Sequence, residues 1–347
     1  MRIAGEQETP PLASVRRLGT PPSHINIPKS PLIVGVALIA YYFISGPDSY
    51  QVYLATTMIT FYIVGLGLDV IFGYAGQISL GSAGFFAMGA YLGAGLAGRG
   101  HDTMVVMVVV LLAGVVVGLL LGFVAQRLSG FGFAIVTWGF AVVVHTVILA
   151  APSLTGGQSG LAVPFPVIFG KEAVSVGSLY LLGAVAAVIF TIVNVVVARS
   201  RVGRNLLAIK TNPVMARSVG ISPVPYRVAA LAYAGATASV AGLLFAYGSQ
   251  VLAPSSVDAS LSVTFLALVV VGGVRSVAGV ALGTVIVVWL PSALQATAEL
   301  SAVIFGIALI LALRFGEDGI VGIGRSVWHR LSSRTPTRLT EAADGDR

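Results

Sequence analysis

The chain has 347 residues, 56% hydrophobic and 10% charged, with a net charge of +7 and a mean hydropathy of +0.95. Soluble domains carry about 25% charged residues, so this composition excludes a soluble enzyme and points to a protein embedded in lipid. There is no cysteine, which removes disulfides, thiolate nucleophiles and cysteine-bearing zinc sites.

The first 31 residues hold six prolines and little apolar sequence, and read as a disordered cytoplasmic tail. They are not a cleavable signal peptide, because the apolar segment starts late and no A-x-A site follows it. Ten apolar spans come next, at about 32–46, 51–72, 82–98, 103–126, 132–151, 176–198, 228–249, 261–274, 277–295 and 301–315. Runs such as MVVMVVVLLAGVVVGLLLGFVA (104–125) lack polar/apolar alternation, which excludes a membrane β-barrel. The expected fold class is therefore all-α: a polytopic helical membrane protein of about ten transmembrane spans, with both termini cytoplasmic. The transmembrane domain covers 32–316, a long inner loop lies at 199–227, and a cytoplasmic tail occupies 317–347. The first, eighth and last spans fall short of the usual ~20 residues and read as tilted or re-entrant.

Charge supports the even count. With the N-terminus inside, all of the 20 lysines and arginines except Arg99 and Lys171 fall on the cytoplasmic side. The basic residues are insertion signals beside apolar spans, and the expected environment is membrane lipid, with no nucleic acid. Gly114, Gly118 and Gly122 share one face of the fourth span, as Gly279 and Gly283 do later. Such faces let helix backbones meet, within one subunit in the first instance.

No catalytic group stands out. His24, His101, His145 and His329 are scattered, no H-E-x-x-H or G-x-S-x-G occurs, and no lysine lies in a phosphate-binding loop. The sequence gives no catalytic and no metal-ligating set. Inside the spans the clear carboxylate is Asp69, near the cytoplasmic end of the second; Asp258 and Glu299 belong to outer loops. Ion-coupled carriers and proton relays need several such groups. Asp69 reads first as a hydrogen-bonded structural residue and second as a coupling site.

Three polar islands interrupt the apolar sequence. The first is GYAGQISLGSAG (73–84), where Gly73, Gly76, Gly81 and Gly84 break what would be one continuous helix. Non-helical backbone at membrane depth is tolerated only where protein or water satisfies it. Gln77, Ser79 and Ser82 can serve that purpose or face a solute. A tight turn with serines capping the next helix is the alternative. The second island, LTGGQSGLAVP (154–164), reads as an irregular outer loop, a lid or a connector, with Thr155 and Gln158 at its mouth. The third is RVGRNLLAIKTNPVMARSVGISPVPYR (201–227). One short helix runs from about Arg204 to Lys210. A second opens with Asn212 as N-cap and Pro213 at its first position, and Gly220 closes it. Both are too short to stand alone. They dock on headgroups, or on a cytosolic partner through an apolar knob of Leu206, Leu207, Ile209, Val214 and Met215.

Together these islands resemble the LivM-type permease subunits of branched-chain amino acid ABC importers. The resemblance is carried by GLGLDVIFGYAGQISLGSAGFFAMGAY (65–91), LTGGQSGL (154–161), SRVGRNLLAIKTNPVMARSVGI (200–221) and VTFLALVVVGGVRSVAGVALGTVIVVWLP (263–291). It covers about residues 50–325. It implies an importer in the cytoplasmic (inner) membrane with a second permease subunit, two cytoplasmic ATPase subunits and an external substrate-binding protein. This chain itself would bind no cofactor, and ATP would be used by the partners. The 200–221 segment then resembles a coupling helix, with Arg204, Ile209, Asn212, Ala216 and Gly220 meeting an ATPase groove. The translocation path would include Gln77, Ser79, Ser82, Thr155 and Gln158. The chain departs from many relatives. Thr211, Pro213 and Arg217 stand where acidic residues occur, Ser82 where His occurs, Asp69 where Asn occurs, and Val142 and His145 where Glu and Arg occur. The glycine-rich run 272–283 is a candidate counterpart of 73–84 in the other half.

Two other readings stay open. A gradient-driven carrier of a small neutral solute would act alone, and a related ABC permease would carry urea or short amides. A membrane enzyme or scaffold would need a catalytic cluster that the sequence lacks.

Overall fold

The computed structural model describes residues 30–45, 50–126, 128, 130–168, 170–172 and 174–293. The expected tail 1–31 lies outside these residues apart from Ser30 and Pro31. The span 301–315 and the tail 317–347 lie wholly outside them.

Thirteen helices are described. α1 is Ser30–Ser45, and α2 is Tyr50–Leu68, continued by a π-helical turn over Asp69–Tyr74. After an irregular stretch come α3 (Ser82–Ala97), α4 (Thr103–Ala125), α5 (Phe131–Ala150) and the single turn α6 (Pro152–Thr155). α7 (Val176–Arg199) leads into the short helices α8 (Arg201–Thr211) and α9 (Pro213–Ser218), and then into α10 (Pro223–Ser249). α11 (Leu261–Gly272) and α12 (Val277–Thr284) are joined by a tight turn. A second π-helical stretch (Val285–Trp289) continues α12 into α13 (Leu290–Ala293).

Among the described residues, five helices are long and apolar enough to cross a membrane: Tyr50–Tyr74, Thr103–Ala125, Phe131–Ala150, Val176–Arg199 and Pro223–Ser249. The eighth expected span (261–274), read from the sequence as short, is the 12-residue α11. At 1.5 Å per residue that is about 18 Å of helix, little more than half the ~30 Å hydrocarbon layer. The reason is the Gly272–Gly273 turn, which folds the chain back so that α11 packs on α12 instead of running on.

α10 is the central post, packed along α4, α3 and α2. Its run of Ala, Gly and Ser removes side-chain bulk, so neighbouring backbones approach closely. A Cβ added at Gly114 would lie 2.6 Å from the Gly235 carbonyl oxygen, and one at Gly118 would lie 2.6 Å from Ala232 Cα. At Gly122 the distance to Val228 Cα would be 3.2 Å. The expected glycine face of the fourth span is thus a packing face within this chain. So is the later one, since a Cβ at Gly279 would lie 2.8 Å from the Gly272 carbonyl oxygen. Ser239 Oγ donates to the Phe85 carbonyl at 3.2 Å, tying α10 to α3. Phe61, Phe86 and Phe265 stack edge-on and tilted where α2, α3 and α11 meet, with centroids 5.0–6.4 Å apart.

Among the described residues, four two-residue strands lie at one end. β1 (Leu161–Ala162) pairs antiparallel with β4 (Val251–Leu252), and β2 (Val167–Ile168) pairs with β3 (Lys171–Glu172). α10 is 27 residues long, so this end lies roughly 40 Å from the α8–α9 end.

Candidate functional site: the broken segment and the α8–α9 end

The interruption after α2 is a built feature. The π-helical turn at 69–74 carries the chain to the α8–α9 end, and the irregular stretch 75–81 then climbs back into the bundle. α3 therefore begins beside Thr137, six residues and roughly 9 Å along α5 from its first residue. Its backbone donors are met from other helices. Leu80 N–H donates to Thr137 Oγ1 at 3.0 Å, and Ala83 N–H donates to Ser262 Oγ at 3.1 Å. Gln77 N–H reaches back to the Ile71 carbonyl at 3.0 Å, and Gly81 N–H reaches Ser79 Oγ at 3.4 Å. The protein itself supplies the partners that membrane depth demands.

The expected alternative, serines capping the next helix, is corrected here. The residue before α3 is Gly81, and no side chain caps the helix locally. Ser82 is already helical and buried, and Ser79 is 2% exposed. The Gln77 and Gln126 amides pair with each other, at 3.1 and 3.4 Å, across the ends of the break and α4. The four glycines make room. A Cβ at Gly81 would meet the Thr137 carbonyl oxygen at 3.1 Å, and one at Gly84 would meet Ala141 Cα at 2.8 Å. Gly76 has a φ of 68°, a left-handed conformation that costs a side-chain-bearing residue about 1 kcal/mol or more.

Around the π-helical turn Asp69, Arg275 and Lys210 converge. The Asp69 carboxylate is 1% exposed and accepts the Arg275 backbone N–H from the α11–α12 turn. Lys210, from α8, donates through Nζ to the Gly73 carbonyl at 3.3 Å. Upstream, Asn194 Nδ2 donates to the Leu66 carbonyl at 2.8 Å. Asp69 is thus a structural acceptor, as the first reading of the sequence held. Arg275 lies within the run 272–283, the candidate counterpart of the break, and its backbone bond to Asp69 ties that run to the π-helical turn that leads into the break.

At the opposite end, Thr155 does not line an open mouth. Its Oγ1 donates to the Ile148 and Ala151 carbonyls at 2.7 and 2.8 Å and accepts Gly157 N–H at 3.2 Å, locking the end of α5. Gln158 is exposed, in a turn flanked by Gly157 and Gly160. The β1–β4 pair pins this loop to the end of α10, more than a plain connector would be.

The 201–221 segment folds as two helices joined at Asn212, as expected, although α8 starts at Arg201, three residues earlier. Asn212 Oδ1 accepts Val214 and Met215 N–H at 3.1 and 3.0 Å. Gly220, with a φ of 83°, ends α9, and Ile221 N–H returns to the Ala216 carbonyl at 2.9 Å. The expected apolar knob is corrected. Leu206 and Ile209 are fully buried and Leu207 is half-buried, so these residues anchor α8. The protruding apolar surface is Val214, Met215 and Val219, 66–73% exposed. Ala216 is buried beneath it, and Arg204 is exposed, donating through Nη1 to the Arg199 carbonyl at 2.8 Å.

Several supports escaped sequence reasoning: Thr137, Ser262, Asn194, Gln126 and Lys210. Thr137 and Asn194 carried a signal, each being a polar residue within an apolar span. Among the described residues no group of three or more His, Asp or Glu can hold a metal ion. An apolar cleft of about 550 Å³ lies between α1, α2, α7 and α12, lined by Leu38, Ile59, Tyr62, Tyr180 and Trp289 among others. None of Gln77, Ser79, Ser82, Thr155 or Gln158 lines it.

Membrane-length helices packed around a glycine-broken, internally satisfied segment make this a polytopic helical membrane protein. A family model described as "Branched-chain amino acid transport system / permease component" matches residues 50–313, and the chain belongs to that family. It is 32% identical over 302 residues to the high-affinity branched-chain amino acid transport system permease protein LivM of Salmonella typhimurium, with 78% of this chain and 70% of the relative covered. The LivM protein of Escherichia coli is 31% identical over 299 residues, with the same coverage. No solved structure matches the chain.

Proposed function

We propose that this chain is the membrane-spanning permease subunit of an ATP-driven ABC importer in the cytoplasmic membrane, carrying branched-chain or other amino acids. It pairs with a second permease subunit and two cytoplasmic ATPase subunits, and takes solute from an external binding protein. ATP is bound by the partners. Both termini lie on the cytoplasmic side of about ten spans, flanking a permease domain at 32–316 whose coupling loop is 199–227.

The observation that carries this reading is the form of α8–α9. A capped helix presents Val214, Met215 and Val219 to the outside, and buried Leu206 and Ile209 hold it rigidly on the bundle. Exposed apolar side chains on a fixed mount suit a protein groove. In the coupling set, Asn212 and Gly220 shape α9, Ile209 and Ala216 seat it, and Arg204 faces the partner. The path runs by the break at Gln77, Ser79 and Ser82. Gln158 lies at the far mouth.

Tagged protein extracted gently from native membranes tests the assignment. Co-purification of Walker-type ATPases and a second apolar permease, lost in Met215→Asp at unchanged expression, is the expected result. A chain that purifies alone, and drives leucine uptake into vesicles on an ion gradient, overturns it.

A further inference from the structure

Lys210 sits where two functions would meet. It is the next-to-last residue of α8, one turn from the exposed α9. Its ammonium donates to the Gly73 carbonyl at 3.3 Å, an acceptor at the end of the π-helical turn. Its methylene stem lies over Gly76, where an added Cβ would approach Lys210 Cγ to 2.7 Å. One residue beyond Gly76, the Gln77 amide pairs with Gln126. Gly73 is itself enclosed, with a Cβ there lying 2.8 Å from Asp69 Oδ1 and 3.3 Å from the Arg275 backbone nitrogen. Arg275, at a φ of 60°, belongs to the turn between α11 and α12. One lysine thus grips the start of the break, at the point where the break touches the glycine-rich turn of the other half.

The mount is stiff. α8 is capped by Ser200, whose Oγ accepts Val202 N–H at 3.1 Å, and it buries Gly203, Leu206 and Ile209 along one face. At Gly203 an added Cβ would lie 2.6 Å from the Val197 carbonyl oxygen, so the α7–α8 corner has no slack. A helix fixed in this way moves as a body, and Lys210 moves with it.

We propose that Lys210 is the positioning residue that transmits movement of α8–α9 to the intramembrane break at 73–81, through its grip on Gly73 and Gly76. Asp69 and Arg275 carry the same displacement to the α11–α12 turn. This rests on the reading of α8–α9 as the ATPase-docking element. A push of an ångström at α9 is delivered to the break because the Lys210 stem packs directly on Gly76 and close-packed neighbours do not deform continuously. Lys210 then sets how much transport each ATP yields and leaves docking itself untouched.

The test uses the complete importer in proteoliposomes, with leucine as probe and its binding protein present. Lys210→Met is expected to retain the ATPase subunits at the normal ratio but to lose at least tenfold in leucine taken up per ATP hydrolysed. Lys210→Arg is expected to recover most of it. A variant that merely loosened the fold would lower yield and ATPase binding together, without changing that ratio. Uptake per ATP within twofold of the parent in Lys210→Met overturns the proposal. A second measurement needs no variant: amide hydrogen exchange over 73–81 is expected to change at least threefold when ATPase subunits bind the parent. Identical exchange with and without them overturns the proposal while leaving the importer assignment standing. Failure of any ATPase to bind the parent overturns both.

Discussion

Thr137→Val tests whether the break is held by its borrowed hydrogen bonds. The hydroxyl accepts Leu80 N–H at 3.0 Å and donates back to the Phe133 and Ala134 carbonyls of its own helix at 3.0 Å each. Valine keeps the shape and the β-branch, so no cavity opens. The loss is one acceptor facing a backbone donor that has left its helix. An intramolecular hydrogen bond contributes about 1 kcal/mol net, and a stranded buried donor costs about 1–3 kcal/mol. Membrane interiors have given smaller averages, near 0.6 kcal/mol. The expected destabilisation is about 1–2 kcal/mol. Thr146→Val is the control, because its hydroxyl donates only to the Val142 carbonyl of the same helix, at 2.9 Å on an exposed face. It should cost under about 0.5 kcal/mol, the range of ordinary surface changes. Equilibrium unfolding by SDS in mixed micelles, followed by tryptophan fluorescence, reads both. A Thr137→Val variant no less stable than Thr146→Val would refute the claim that side chains from other helices satisfy the break.

Three further outcomes are expected. Gly118→Leu should abolish a monodisperse elution profile, because its Cβ meets backbone at 2.6 Å; Gly139→Leu, with nothing within 4 Å, should elute like the parent. Asn212→Ala removes the acceptor for two N–H groups and should destabilise α9 by about 1 kcal/mol, read as roughly fivefold faster amide exchange over 214–218. In the cysteine-free background, Gln158→Cys should label quickly with a water-soluble maleimide, whereas Thr155→Cys should resist; equal labelling would contradict the lock at the end of α5.

Much of this fold is legible in the sequence. Length and apolarity of the runs dictate membrane helices, because backbone hydrogen bonds in lipid must be closed within the segment. Asn212-Pro213 and Gly220 mark α9 at both ends, since caps act over three or four residues of local sequence. The every-fourth glycines mark a packing face by helical geometry alone. What sequence left open was how far each run extends as helix and where each polar group turns. α11 is short by sequence, yet only the structure shows that the Gly272 turn folds it back onto α12. Ile209 and Leu206 read as an exposed knob but face inward, since the side α8 buries depends on where α10 and the π-helical turn lie. The break at 73–84 announces itself in glycines and serines, yet its partners are Thr137, Ser262 and Lys210, 57 to 179 residues away along the chain. Local spacing determines caps and periodicity; satisfaction of polar groups in a low-dielectric interior is decided by whichever helices pack alongside, and only the tertiary structure brings those together.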